Sequence, residues 1–278
     1  MVDLHTHTFE SDGTDSPSAL IEKAAAAGLS TIAITDHDTL RAHAQATIRA
    51  SELNIRLVTG VEISTRARNR SVHLLAYWFK EPPPQAFLLW LDEMLEYRRE
   101  RNRRLAERLR SLGLNIELSE AEALGRTITG RVHFAKLLIA KGYATSISQA
   151  FDKYIGEDAP GFVLMEDPQT PVAVRKVREC GGIPILAHPI RLGMRDQAVE
   201  ETFIREQTEA GLLGLEVMHS DHDQSARARY LTLAARYNLS PSGGSDYHGD
   251  IKPNIHLGRG NGGNVQVPQD WLDKLMSL

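Results

Sequence analysis

Short apolar, β-branched runs recur along the chain between amphipathic stretches. Val2–Thr6, Thr31–Thr35, Arg56–Ser64, Ser71–Trp78, Ile183–Ala187, Leu213–Met218 and Leu239–Ser245 are the seven strongest. Near-continuous apolar runs of this kind suit strands buried on both faces, as in a parallel sheet. Helical signals lie between them. Ser16-Pro17 reads as an N-cap with proline in the first turn, Leu20–Ala27 as the helix body and Gly28 as its stop. Gln197–Ala210 ends at Gly211, and Gln224–Asn238 precedes the last strand. Alternating strand and helix predicts an α/β fold whose seven strands close into a small barrel.

From Glu81 to Pro168 this rhythm breaks. The segment opens with Pro82-Pro83-Pro84, has few β-branched runs and reads mostly as helix. Residues 1–80 and 168–278 are therefore expected to form the barrel, and 81–167 a helical insertion over its mouth. Leu91, Leu95, Leu105, Leu109 and Leu112 fall on one helical stripe, with Arg98 and Asn102 where leucine is missing. Those two are expected to face the barrel mouth. The other arginines of Arg98–Arg110 read as a solvated face paired with Glu96, Glu100 and Glu107.

Composition narrows the class. The 278 residues are 42% apolar and 24% charged, which excludes a disordered chain. No apolar run approaches the ~18 residues of a membrane span, and the net charge of −4 argues against a protein that coats nucleic acid. The N-terminus shows no basic region followed by an apolar stretch. The single cysteine, Cys180, cannot form an internal disulfide. Both features point to a cytoplasmic protein.

The candidate chemistry sits at strand ends. His5 and His7 are two apart, so a strand presents both imidazoles on one side. Asp12 lies in the first strand–helix loop, and Asp36, His37 and Asp38 directly follow the second strand. Glu62 stands inside the apolar run VTGVEIS, where a carboxylate needs a strong partner. His73, His188, Asp246 and His248 complete the set. Each has an ordinary structural reading alone, but a parallel α/β barrel brings strand ends to one face. Histidines and carboxylates without cysteine suit Mn, Fe or Zn.

The ordered motifs DLHTHT, SDG, TDHD, GVEIS, VHLLAY, AHP and GGSDYHG resemble the PHP (polymerase and histidinol phosphatase) family. The resemblance implies a distorted seven-stranded barrel with two or three divalent metals, Mn first and Fe or Zn as alternatives. It places His5, His7, Glu62 and Asp246 on one metal. Glu62 bridges to a second, with His73 and His188, and Asp12, His37 and His248 hold a third. Asp12 stands where many histidinol phosphatases of the family have histidine.

Gly130-Arg131-Val132-His133-Phe134-Ala135 is similar to the GRPHxA element of the family's nucleotide phosphatases and short-RNA exonucleases, with valine in place of proline. That implies substrate contacts from Arg131 and His133; Arg98, on the interrupted stripe, and the strand-end His37 and His248 are further candidates for substrate contact. The implied reaction removes the 3′-phosphate of a 3′,5′-bisphosphonucleotide, leaving a nucleoside 5′-monophosphate. His248 or Asp36 would be the proton donor, and very short RNA a further substrate. Histidinol-phosphate hydrolysis and a non-catalytic metal-binding module are the alternatives. The HSDHD cluster, with His219, Asp221, His222 and Asp223, receives no metal.

Overall fold

A computed structural model of the chain describes residues 1–278 apart from 68, 69, 126, 127, 165 and 195. One sheet runs in sequence order: β1 (Val2–Asp3), β2 (Thr31–Ile34), β3 (Arg56–Ala67), β4 (Arg70–Trp78), β5 (Ile183–Leu186), β6 (Gly214–Met218) and β7 (Ser240–Gly243). Its first and last strands meet just beyond their ends. Thr6 bridges Tyr247 in parallel, Leu4 N donates to Gly243 O and Asp246 N to His5 O. The sheet thereby curls into a nearly closed barrel.

The expectation of an all-parallel barrel needs one correction. β4 runs antiparallel to both β3 and β5. Two residues separate β3 from β4, and a parallel pair needs a crossover of about a dozen or more. The reversal explains the sequence of β4. In β3 the apolar Val58 precedes Glu62, whereas in β4 His73 precedes Leu75 and Tyr77. Only in opposite directions do Glu62 and His73 reach the same end of the barrel.

Strand alternation sorts the side chains into two layers. Val61, Ile63, Leu74, Ala76, Leu186, Leu215 and Val217 pack outward under α7 (Thr170–Glu179), α8 (Gln197–Glu209) and α9 (Gln224–Arg236). Val58, Leu75, Tyr77, Ile183 and Ile185 face the other way and meet α10 (Gln269–Ser277) through Leu272 and Leu275. Glu62, His73 and Glu216 share that second face, above its apolar floor. On the remaining flank, α1 (Pro17–Ala26) and α2 (Ala42–Glu52) cover β2. Ser16 caps α1 by accepting from Ala19 N, and Gly28 ends it at φ +80°, a conformation glycine adopts without penalty. Among the described residues no helix is long and apolar enough to cross a membrane.

Between β4 and α7 the chain is helical: α3 (Gln85–Ser111), α4 (Leu118–Gly125), α5 (Arg131–Ala140) and α6 (Ile147–Ala150), which runs into a π turn at Phe151–Ile155. α3 belongs to both parts. Its Phe87, Leu91 and Met94 join the barrel's outer core, while Leu105, Ala106 and Leu109 build a separate core with α5 and α6. Arg98 and Asn102 are buried between those halves, as the interrupted stripe predicts, and Arg101 is buried beside them. The predicted exposed face is also present: Arg99 pairs with Glu96, and Arg103 with Glu100 and Glu107.

Candidate metal centre

The two oxygens of Glu62 face two groups of imidazoles. Oε2 lies 3.2 Å from His5 Nε2, 3.1 Å from His7 Nε2 and 3.4 Å from His37 Nδ1. Oε1 lies 2.8 Å from both His73 Nδ1 and His188 Nε2. Asp246 Oδ1 closes the first group, 3.5 Å from His5 Nε2 and 3.4 Å from His7 Nε2. On the opposite side, Asp12 Oδ1 is 3.3 Å from His248 Nε2, and Asp12 Oδ2 is 3.8 Å from His37 Nε2. The ligand atoms of three sets lie within 4.8 Å of one another: His5, His7, Glu62 and Asp246; His37, Glu62 and His73; and His7, Asp12, His37 and His248. The first is the set expected for one metal. The second takes His37 where His188 was expected, and the third adds His7.

Local folding puts these groups in place. Between His5 and His7, Thr6 turns toward β2, donating from Oγ1 to Ala33 O and receiving Thr35 N, which leaves both imidazoles on the barrel side. Gly13 allows the Asp12 turn to lie against the first strand's extension, since a Cβ there would sit 2.6 Å from His7 O. Asp38, His188 and Asp246 have φ of 54°, 23° and 57°. Non-glycine residues in that region cost on the order of 1–3 kcal/mol each, a strain that clusters at functional sites.

The chemistry of the cluster fits divalent metal. His5 Nε2, both nitrogens of His7 and His37 Nδ1 are buried with no hydrogen-bond partner among the described residues. Leaving such groups empty-handed costs roughly 1–3 kcal/mol each, unless a cation takes their lone pairs. Burial alone would raise the Glu62 carboxyl, but the imidazoles of His37, His5 and His73 outweigh it and hold Glu62 well below its ordinary range. Asp246 is held down against its own burial by Lys252 and Arg191, and Asp12 by His248 and His37. Ionised carboxylates among bare imidazole nitrogens are metal-ligand chemistry.

Two of the residues expected from the sequence, Asp36 and His133, stand away from the cluster and the cavity above it. Asp36 is not among the groups facing the cluster. Thr8 N and Ser11 Oγ donate to its Oδ1 and Thr8 Oγ1 to its Oδ2, so it braces the loop carrying Asp12 and is not placed as a proton donor. His248 donates from Nδ1 to Asp246 O, its Nε2 stands 3.3 Å from Asp12 Oδ1, and burial followed by Lys252 and His7 lowers its pKa. It belongs with His7, Asp12 and His37 to a set that could hold a metal ion. His133 turns back and accepts from Gly130 N, capping α5, and does not line the cavity above the cluster.

One residue beside the cluster, Glu216, escaped the sequence reading. Glu216, on β6, accepts from His5 Nδ1 at 2.9 Å and from His188 N at 2.6 Å, so it orients a ligand on each side of Glu62. The signal was available: Glu216 is the one charge in LGLEVM, as Glu62 is in VTGVEIS. Metal-bound histidines commonly carry such a partner, and its loss costs about 10–100-fold in affinity. Glu216→Gln should therefore bind Mn about 10–100-fold more weakly in a chelator competition, with the fold intact by circular dichroism. Unchanged affinity would reject the role. Asp38 accepts from Ser64 N and Oγ and pairs with Arg98, tying α3 to β3. The HSDHD cluster divides its work. Asp223 caps α9, Asp221 pairs with Arg191, and His219 Nε2 approaches Asp246 Oδ2 at 3.3 Å.

Comparison with known proteins agrees with this site. The PHP domain model matches residues 3–155. A 5′-3′ exoribonuclease of Haemophilus influenzae is 32% identical over 88% of this chain and 89% of its own. A phosphoribosyl 1,2-cyclic phosphate 1,2-diphosphodiesterase of Eggerthella lenta is 32% identical over 92% and 97%. A 3′,5′-nucleoside bisphosphate phosphatase of Chromobacterium violaceum is 30% identical over 89% and 87%. The crystal structure of a metal-dependent phosphoesterase from Bifidobacterium adolescentis superposes with a TM-score of 0.85 at 31% identity, covering 99% of this chain and 95% of that one. With its ligand cluster at the mouth of a seven-stranded barrel, the chain belongs to the PHP domain family and is a phosphoesterase.

Proposed function

We propose that the protein hydrolyses the 3′-phosphate of 3′,5′-bisphosphonucleotides, giving a nucleoside 5′-monophosphate and phosphate, with Mn as the first metal to try and Fe or Zn as alternatives. The observation that carries this reading is the cavity over the cluster. It measures about 380 Å³ and has two chemically different walls. Asp12, His37, His73 and His248 form the ligand wall, and Arg98, Arg101 and Arg131 line it from the insertion. Burial, then the guanidiniums of Arg98 and Arg131, pushes the Arg101 pKa well below its ordinary value, and its Nε lacks a partner among the described residues. Buried cations facing one another call for an anion between them. Ile147, Phe151, Phe162 and Val163 add an apolar end suited to the face of a nucleobase.

The substrate that matches has a base and two separate anionic groups. The ligand wall takes the reacting phosphate and the arginines take the other, whose binding energy orients the first. The metals, when bound, polarise the phosphoryl oxygens and make a water nucleophilic at neutral pH. Arg98 is held over the ligands by Asp38 and by its own bond to Ser64 Oγ, so its charge is fixed before substrate arrives. The relative named as a bisphosphate phosphatase supports the reading. Phosphate release should be measured on a panel including 3′,5′-bisphosphoadenosine, histidinol phosphate and an aryl phosphate, with Mn. The bisphosphonucleotide should have the highest kcat/KM, and a preference for histidinol phosphate would overturn the assignment.

A further inference from the structure

The HSDHD segment, to which the sequence assigns no metal, reaches one of the cluster's carboxylates. His219 directly follows β6, is fully buried and does not line the cavity over the cluster. Its Nδ1 accepts from Asp221 N at 3.0 Å, which in the neutral imidazole places the proton on Nε2. That N–H makes no hydrogen bond among the described residues, and Asp246 Oδ2 approaches it at 3.3 Å. The rings of His188 and His222, each centred 5.3 Å from that of His219, confine the imidazole. Asp246 Oδ2 also meets Lys252 Nζ at 2.7 Å and Arg191 Nη2 at 2.9 Å. Both cations line the cavity, and their side chains keep 30% and 37% of their surface exposed. A phosphoryl group entering there offers them anionic oxygens in competition with Asp246. It cannot reach His219.

We infer that His219 is a positioning residue for Asp246: its Nε2–H secures Oδ2 from within the protein, so that Oδ1 stays turned toward His5 and His7 as a metal ligand while Arg191 and Lys252 are free to engage substrate. About half an ångström of closure would bring the 3.3 Å approach into the ~2.7–2.9 Å range of a charge-assisted hydrogen bond. A carboxylate anchored through one oxygen cannot rotate the other away from a metal, and ligating carboxylates are commonly held in this manner. A neutral imidazole suits the place. It adds a donor to a buried oxygen that already faces two cations, without burying a third charge. Asp221 serves both arrangements, since its N–H fixes the His219 tautomer and its carboxylate pairs with Arg191 at 2.7 Å. The role is the same for any phosphate ester, because it concerns the ligand and not the leaving group.

Binding of Mn to the full chain, read by chelator competition without substrate, tests the role. His219→Gln keeps an amide N–H near the place of Nε2, whereas the amide of His219→Asn extends only as far as Nδ1. Both remove the ring, so a packing role would be lost alike in the two. His219→Asn should bind Mn about 10–100-fold more weakly, while His219→Gln stays within about threefold of wild type. Lys252→Met should cost less than about threefold in the wild-type background and a further ~10-fold beside His219→Asn, where the cations are the remaining donors to Oδ2. Equal losses in the glutamine and asparagine variants overturn the inference, as does wild-type affinity in both. Additive losses with Lys252→Met also overturn it. Should His219→Asn fail to fold by circular dichroism, the glutamine variant still decides. A loss there beyond about threefold rejects the role, and retained affinity upholds it.

Discussion

Glu62→Gln should empty the centre. Glu62 is the one residue whose two oxygens face two groups of imidazoles, and glutamine preserves its shape while removing its charge. The amide also places a donor where one oxygen faced histidine nitrogens, which turns an attraction into a conflict. We expect loss of bound metal by elemental analysis and a fall in kcat of at least ~100-fold, the scale of direct-ligand changes. Glu62 is nearly fully buried at the centre of β3, so stability should be measured beside activity. In wild type the buried, ionised carboxylate is tolerated because imidazoles or metal surround it. Because those imidazoles hold the carboxylate ionised, its charge contributes stability even without metal, and the glutamine chain without metal should melt lower than wild-type protein stripped by chelator. A variant with full metal content and undiminished turnover would remove Glu62 from the centre.

The histidine and carboxylate cluster was legible in the sequence because buried titratable side chains are expensive and need strong partners. His5, His7, Glu62, His73, His188 and Asp246 each interrupt or end an apolar run, and such interruptions show in one dimension. The strand and helix order was legible for the same reason, through periodicity. What stayed hidden depends on geometry that spacing does not carry. The direction of β4 could have been read from the two-residue link and from the position of His73 at its start, but apolar runs look alike in either direction. Asp36 and His133 stand beside residues of the cluster and of the cavity wall in sequence, but neighbours in a strand or first turn point to different sides. Asp36 follows the pleat away from His37 into a loop of hydroxyl donors, and His133 folds onto its own helix start. Arg101 was masked by its surroundings. Within a run of seven arginines most side chains are solvated, and only the crossing of α3 over the barrel decides which of them is buried.

Arg131→Ala should separate binding of the second phosphate from chemistry at the first. Arg131 is the first residue of α5 and lines the cavity with its guanidinium 5.6 Å from the centre of the Phe151 ring and 5.7 Å from that of Phe162. Both rings lie within cation–π range of the guanidinium, whose planar fork matches a phosphate bidentately, which a lysine ammonium would not reproduce. A charge-assisted hydrogen bond is worth ~1.5–3 kcal/mol, so kcat/KM for a 3′,5′-bisphosphonucleotide should fall roughly 10–150-fold. An aryl phosphate has no second anion and should lose little, which also certifies the fold. Arg131→Lys should recover only part of the loss, because charge returns without the bidentate geometry. Arg101→Gln should repeat the selectivity if the two guanidiniums share one phosphate. An equal fall on both substrates would instead place Arg131 at the reacting phosphate. No fall on either would make α5 a structural element and withdraw the main support for a nucleotide substrate.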